Sequence, residues 1–173
     1  MPPTNISIIL VTFFALAVVV GGCNSPGEAP SATTPSANQE IDRRSYDLGV
    51  IGAFAEMVGV GVKKMALSAT LTPDAADALE EEAGKIAERN GAMIYRESDF
   101  LVTDLFPASV TEGKHVFVIY SGSTLEEYLA LKSEKKKLVD AGQYEGMSRR
   151  AIAQGMGVLL SYPEQKIEEM LTD

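Results

Sequence analysis

The 173-residue chain carries 24 acidic and 15 basic side chains, giving a formal net charge of −9 and a pI near 4.7. So acidic a balance disfavours nucleic acid as a partner, because phosphate binding needs a basic surface, and it disfavours electrostatic adhesion to anionic lipid. One cysteine, one histidine and no tryptophan exclude an internal disulfide, a multi-cysteine metal site and His-cluster chemistry.

No Lys, Arg, Asp or Glu precedes Glu28. Residues Ile6 to Val20 are apolar apart from Ser7 and Thr12. With the two glycines that follow, the run reaches about 17 residues, the short edge of what crosses a hydrocarbon core. That length, followed by small residues, reads as the h-region of a signal peptide, with the α-amino group as the only positive charge before it. The run closes on Val20-Gly21-Gly22-Cys23. This segment resembles the lipobox of bacterial lipoproteins, with Val20 where Leu is most frequent in that family. The resemblance implies cleavage between Gly22 and Cys23, a diacylglyceryl group on the Cys23 thiol, and a mature protein that begins at Cys23. It implies attachment to a membrane on its extracytoplasmic side. In a Gram-negative cell Asn24, which is not the Asp of an inner-membrane retention signal, points to the periplasmic face of the outer membrane. In a Gram-positive cell the same residues mean the cell surface. Each buried methylene contributes about 0.8 kcal/mol, and two chains on one residue suffice for stable anchoring.

Residues 24–40 are mostly Ser, Pro, Ala, Thr, Gly, Asn and Gln, the composition of a flexible tether. The chain thus divides into a signal peptide (1–22), a lipidated cysteine with linker (23–40) and one globular domain (41–173). Roughly 133 residues suffice for a single core. With Cys23 acylated, that domain has no thiol.

Within the domain, the spacing predicts a helix over 41–57 that buries Ile51, Phe54, Ala55 and Val58 on one face. Gly59 and Gly61 interrupt it, and 60–71 follows as a strand, with a helix continuing to Ala69 as the alternative. Thr72-Pro73 is a start signal for a second helix, with Leu79, Ala83, Ile86 and Ala87 inward and Asn90-Gly91 as its left-handed stop. Short strands are predicted at 92–96 and 100–106. The β-branched run at 114–121 is the best strand and the expected centre of the sheet. Thr124 with Glu127 has the spacing of a capping box opening a helix to Ala141, closed by Gly142. Ser148 is read as the cap of a further helix burying Ile152, Met156 and Leu159. Pro163 ends it, and a short helix over 164–171 completes the chain. The fold class expected is α+β: a small, mostly antiparallel, split-βαβ-like sheet with helices on one face, an extra N-terminal helix and a C-terminal helical pair.

Glu97, Asp99 and Asp104 with His115 are the best candidates for acid–base chemistry or a metal, because carboxylates beside a histidine suit either. Lys132, Lys135, Lys136 and Lys137, followed by Arg149 and Arg150, form the one basic patch and a candidate for binding an anionic partner. The Gly59-Val60-Gly61-Val62-Lys63-Lys64 segment lacks the spacing and hydroxyl of a phosphate loop. No cofactor is therefore expected. Ser121 to Thr124 could present amides to an anion but reads first as a plain helix start. Six tyrosines (Tyr46, Tyr95, Tyr120, Tyr128, Tyr144, Tyr162) are available to line a pocket. The leading reading is a non-enzymatic binding module held at the membrane by Cys23, with an envelope protein or small ligand as partner. The alternatives are an enzyme or metal-dependent protein using Glu97, Asp99, Asp104 and His115, and a purely structural envelope lipoprotein.

Overall fold

The β-branched run Val116-Phe117-Val118-Ile119 becomes the middle strand of the sheet, where all four residues are buried. The computed structural model describes residues 42–172, which belong to one unit, Glu40–Asp173. The expected signal peptide 1–22, the cleavage site at Gly22 and Cys23, and the linker 23–40 lie outside the described residues. In chain order the elements are α1 (Arg43–Gly59), β1 (Met65–Leu67), α2 (Pro73–Arg89), β2 (Met93–Glu97), α3 (Ala108–Thr111), β3 (Val116–Tyr120), α4 (Thr124–Asp140), α5 (Gly146–Leu159) and α6 (Glu164–Met170).

The sheet order is β1-β3-β2, and both pairings are antiparallel. β1 and β2, joined through α2, are therefore parallel to each other with β3 inserted between them. This is the split βαβ arrangement that the order of elements suggested. The α+β class, the small antiparallel sheet and the C-terminal pair α5–α6 are all present. The placement of the helices is corrected: they cover both faces of the sheet. Phe117, Ile119 and Ala66 pack with α1 and α2, whereas Val116, Val118 and Met65 pack with α4 and α5. A strand buried on both sides reads as an unbroken apolar run, and that is how β3 reads. Burying each such side chain contributes about 1.5–3 kcal/mol. Among the described residues the core clusters lie within residues 48–171.

Local signals hold where they rest on periodicity. Ile51, Ala55 and Val58 are buried on α1, Leu79, Ala83 and Ala87 on α2, and Ile152, Met156 and Leu159 on α5. Thr72 Oγ1 accepts from the Ala75 amide at 3.2 Å and caps α2. Two caps read from sequence do not form. α4 is preceded by Ser123, not Thr124, with no side-chain capping bond, and α5 starts at Gly146 rather than after Ser148. Gly59 closes α1 for a packing reason: a Cβ there would fall 1.8 Å from the Asn90 carbonyl oxygen. The backbones of α1 and of the turn after α2 meet at that point, and only glycine permits it.

The strand predicted over 60–71 shrinks to three residues, and 100–106 is not a strand at all. In that second stretch Phe100, Leu101, Thr103 and Leu105 are nevertheless buried. The segment forms no ladder because its backbone groups pair among themselves and with side chains.

Candidate functional site

Three of the side-chain partners of this segment come from one stripe of α4. Tyr128, Lys132 and Lys135 lie at helical spacing on the side that faces residues 97–106. Glu97, at the end of β2, is only 2% exposed. Its Oε2 accepts from the Tyr128 hydroxyl and from Lys132 Nζ, each at 3.0 Å, and its Oε1 accepts from the Asp99 amide at 2.8 Å. The Tyr128 oxygen in turn accepts from the Leu101 amide at 3.2 Å. Lys132 also donates to the Asp99 carbonyl oxygen and pairs with its carboxylate at 3.1 Å. Lys135 donates to the Val102 carbonyl at 2.6 Å and lies 5.1 Å from the Tyr144 ring centre. A buried carboxylate is tolerated only when paired and hydrogen-bonded, and here both oxygens are used. The cluster works as a clasp on an irregular segment.

The electrostatics agree. Burial works against the charge of Lys132, but the hydrogen bonds and charges of Glu97 and Asp99 outweigh it and hold its pKa above the ordinary value. Burial, then the adjacent Glu97 carboxylate, pushes the Tyr128 phenol well above its usual range. Burial depresses Lys135 and raises Tyr144.

Of the constellation proposed from sequence, Glu97 and Asp99 meet at Lys132, whereas Asp104 and His115 are engaged elsewhere. Arg96 and Glu97 are successive strand residues and face opposite sides of the sheet. His115 goes with Arg96: its Nδ1 accepts from Arg96 Nε at 2.8 Å. That bond places the proton of the neutral ring on Nε2. Arg96 also reaches Asp77 and Glu80 on α2 at 2.5 and 2.9 Å, and the hydrogen bonds to Asp77 and then Glu80 raise its pKa. Asp104 is taken by the guanidinium of Arg149. No group of three or more His, Cys, Asp or Glu among the described residues could hold a metal.

The basic patch is divided in the same way. Lys132 and Lys135 are committed to the clasp, and Lys136 pairs with Asp140 at 2.9 Å. Arg150 pairs with Glu168. Lys137 is exposed and belongs to none of the ion pairs of the described residues. The tyrosines do not converge either: Tyr128 is in the core, Tyr46 is 51% exposed, and Tyr144 lies beside Lys135. Ser121 to Thr124 forms an ordinary helix start, with the Thr124 amide donating to Ser121 O at 3.3 Å.

Several recesses stay open among the described residues, including one of about 410 Å³ beside α4 lined by Asp99, Phe100, Leu101, Lys132, Lys135 and Lys136, but the one beside β1 is roomier and carries fewer charges. A groove of about 670 Å³ runs along the free edge of β1, lined by Ala66 to Thr70 together with Phe54, Phe100, Phe106, Val110, Leu160 and Tyr162 among others. Its shape follows from Ser68. The Ser68 amide donates to Phe117 O at 3.0 Å, as in a regular ladder. The Phe117 amide then finds Ser68 Oγ at 2.9 Å instead of a main-chain carbonyl, and that hydroxyl donates to Ala69 O at 2.7 Å. Pairing resumes at Leu71 and His115, with two bonds of 2.8 Å. Ala69 and Thr70 are therefore released from β3 and line the groove. Because Ser68 is bonded to β3, the peptide groups of Leu67 point away from it, along the free edge.

The far wall is fastened by residues after Val62. Lys63 Nζ donates to Leu160 O at 2.6 Å and lies 5.5 Å from the Tyr162 ring centre. The Lys64 amide donates at 2.8 Å to the hydroxyl of Ser161, which sits at φ 61°. That conformation costs a non-glycine residue about 1–3 kcal/mol and persists only where neighbours fix it. Of the residues lining the groove, Lys63 alone is charged. Sequence reading missed this site because its walls come from separate stretches with no shared motif.

Comparison with family models, with curated proteins and with solved structures finds no match to this chain. No helix among the described residues is long and apolar enough to cross a membrane.

Proposed function

We propose that the chain is a lipid-anchored cell-envelope module, tethered through diacylglyceryl-Cys23 and its linker, that works by binding a ligand in the groove beside β1. The observation that carries this reading is the groove itself: an open apolar recess that the folded chain leaves unfilled. Its volume falls in the range of about 300–1,000 Å³ usual for small-molecule sites. The acid–base candidates support binding over catalysis by their commitments. Glu97 has both oxygens engaged and His115 accepts from Arg96 on the opposite side of the sheet. The anchor rests on the resemblance of Val20-Gly21-Gly22-Cys23 to a lipobox.

The test combines two measurements on the protein in intact cells. Mass spectrometry of the membrane fraction is expected to find Cys23 diacylglycerylated at a new N-terminus. A photo-crosslinking residue at Val110, which is 49% exposed on the groove, is expected to yield one discrete adduct that disappears when Ala69→Trp fills the recess. Unmodified Cys23 in membranes contradicts the anchor. An acylated protein without any adduct favours a purely structural lipoprotein.

A further inference from the structure

Resting on the reading of the groove as the binding site, we infer that its ligand is a single-chain amphiphile carrying one negative charge, a long-chain carboxylate. Three observations lead there. The lining is mostly apolar, with Phe100, Phe106, Val110 and Leu160 facing the space. Its one charge is the Lys63 ammonium, on a protein whose net charge is −9. Two of the three donors of that ammonium remain after its bond to Leu160 O, enough for both oxygens of a carboxylate. The hydroxyls of Ser68, Thr70 and Thr111 add neutral polar positions but no second charge.

The competing occupant is an extended peptide added to β1 as a fourth strand. Strand addition takes its affinity from an unbroken row of main-chain groups. β1 has only three residues, and the ladder is broken immediately after it, where Ser68 Oγ takes the place of a carbonyl. Short and bulged edges are the features that protect sheets from strand addition. An acyl chain needs apolar walls and its carboxylate needs a cation, and the groove lining supplies both.

Calorimetric titration of the full chain with decanoate and dodecanoate, each below its critical micelle concentration, tests the inference. Two further buried methylenes are expected to tighten binding about fifteenfold. Lys63→Gln is expected to weaken dodecanoate at least tenfold and leave dodecanol unchanged, with Lys63→Arg restoring much of the loss. Ala69→Trp is expected to abolish binding of both. Thermal melts of each variant exclude unfolding, and Lys137→Gln serves as a control of equal charge change away from the groove.

If dodecanol binds wild type as tightly as dodecanoate and Lys63→Gln changes neither, the anionic headgroup is wrong while the groove remains a binding site. If neither amphiphile binds but a library of extended peptides does, with loss on Ala69→Trp, the carboxylate inference fails and the binding module stands. If amphiphiles and peptides alike fail to bind, this inference and the functional reading fall together.

Discussion

The clasp on α4 and the groove beside β1 differ in what the chain leaves unsatisfied. Around α4, most of the conspicuous charged side chains find partners within the protein: Glu97 of β2 holds Tyr128 and Lys132, Lys135 holds Val102 O, and Lys136 holds Asp140, while Lys137 is in none of the ion pairs of the described residues. Along β1, an apolar surface with one cation is left open to solvent. The residues that look most chemical in the sequence are thus those spent on the fold. Buried polar groups must be paired, and once paired they are poor candidates for an external partner.

The comparison is broken most severely at the clasp. Lys132→Met leaves the Glu97 carboxylate buried without its cation and frees the Asp99 carbonyl. Discounting for the 26% exposure of the lysine side chain, we expect a loss of about 2–3 kcal/mol, read as a lower urea midpoint. Tyr128→Phe strands the Leu101 amide and removes one donor to Glu97, an expected cost of about 2 kcal/mol. Because both side chains serve Glu97, the double variant should depart from additivity by about 0.5 kcal/mol or more.

The same cluster sets an alkaline limit. Lys132 and Tyr128 have folded pKa values raised from ordinary values of 10.5 and 10.0. Both groups bind their protons more tightly in the folded state. Their stabilisation is therefore fully present below about pH 10 and is lost as pH rises through the unfolded toward the folded values. Lys135, whose pKa is lowered, acts in the opposite sense and offsets part of the loss. Unfolding free energy measured across pH 8 to 11 should fall at the upper end, and less steeply in Tyr128→Phe.

Effects on the groove side should be smaller. Ser68→Ala takes the acceptor from the Phe117 amide and is expected to cost about 1–2 kcal/mol, with faster hydrogen exchange at Phe117. Ala69→Trp, on the groove surface, should shift stability by no more than about 0.5 kcal/mol while closing the site. A large destabilisation by Ala69→Trp would mean that the recess is core rather than a site.

Much of the fold was legible in the sequence, for identifiable reasons. β3 announces itself through four consecutive apolar residues, and α2 through Thr72-Pro73 and the spacing of Leu79, Ala83 and Ala87. Periodicity reports burial, and it places Ile152, Met156 and Leu159 inward on α5, where they are buried. It does not report where backbone bonds go, and so it made a strand of a segment fastened by Tyr128, Lys132 and Lys135. It placed helices on one face because a single strand pattern does not say how many layers bury it. The groove was illegible because Phe54, Lys63, Phe106 and Tyr162 are scattered along the chain, and because the bulge depends on one hydroxyl whose sequence context is unremarked.

Lys132, Lys135 and Lys136 on α4 are spent on contacts within the chain, whereas Lys63 beside β1 keeps donors for a ligand. Amide chemical-shift mapping of the nitrogen-15-labelled full chain during titration with dodecanoate tests this most directly. The account predicts perturbations at Ala66 to Thr70, Val110 and Leu160 to Tyr162, with Lys132 to Lys137 unmoved. Shifts centred on Lys132 to Lys137, with a silent β1 edge, would contradict it.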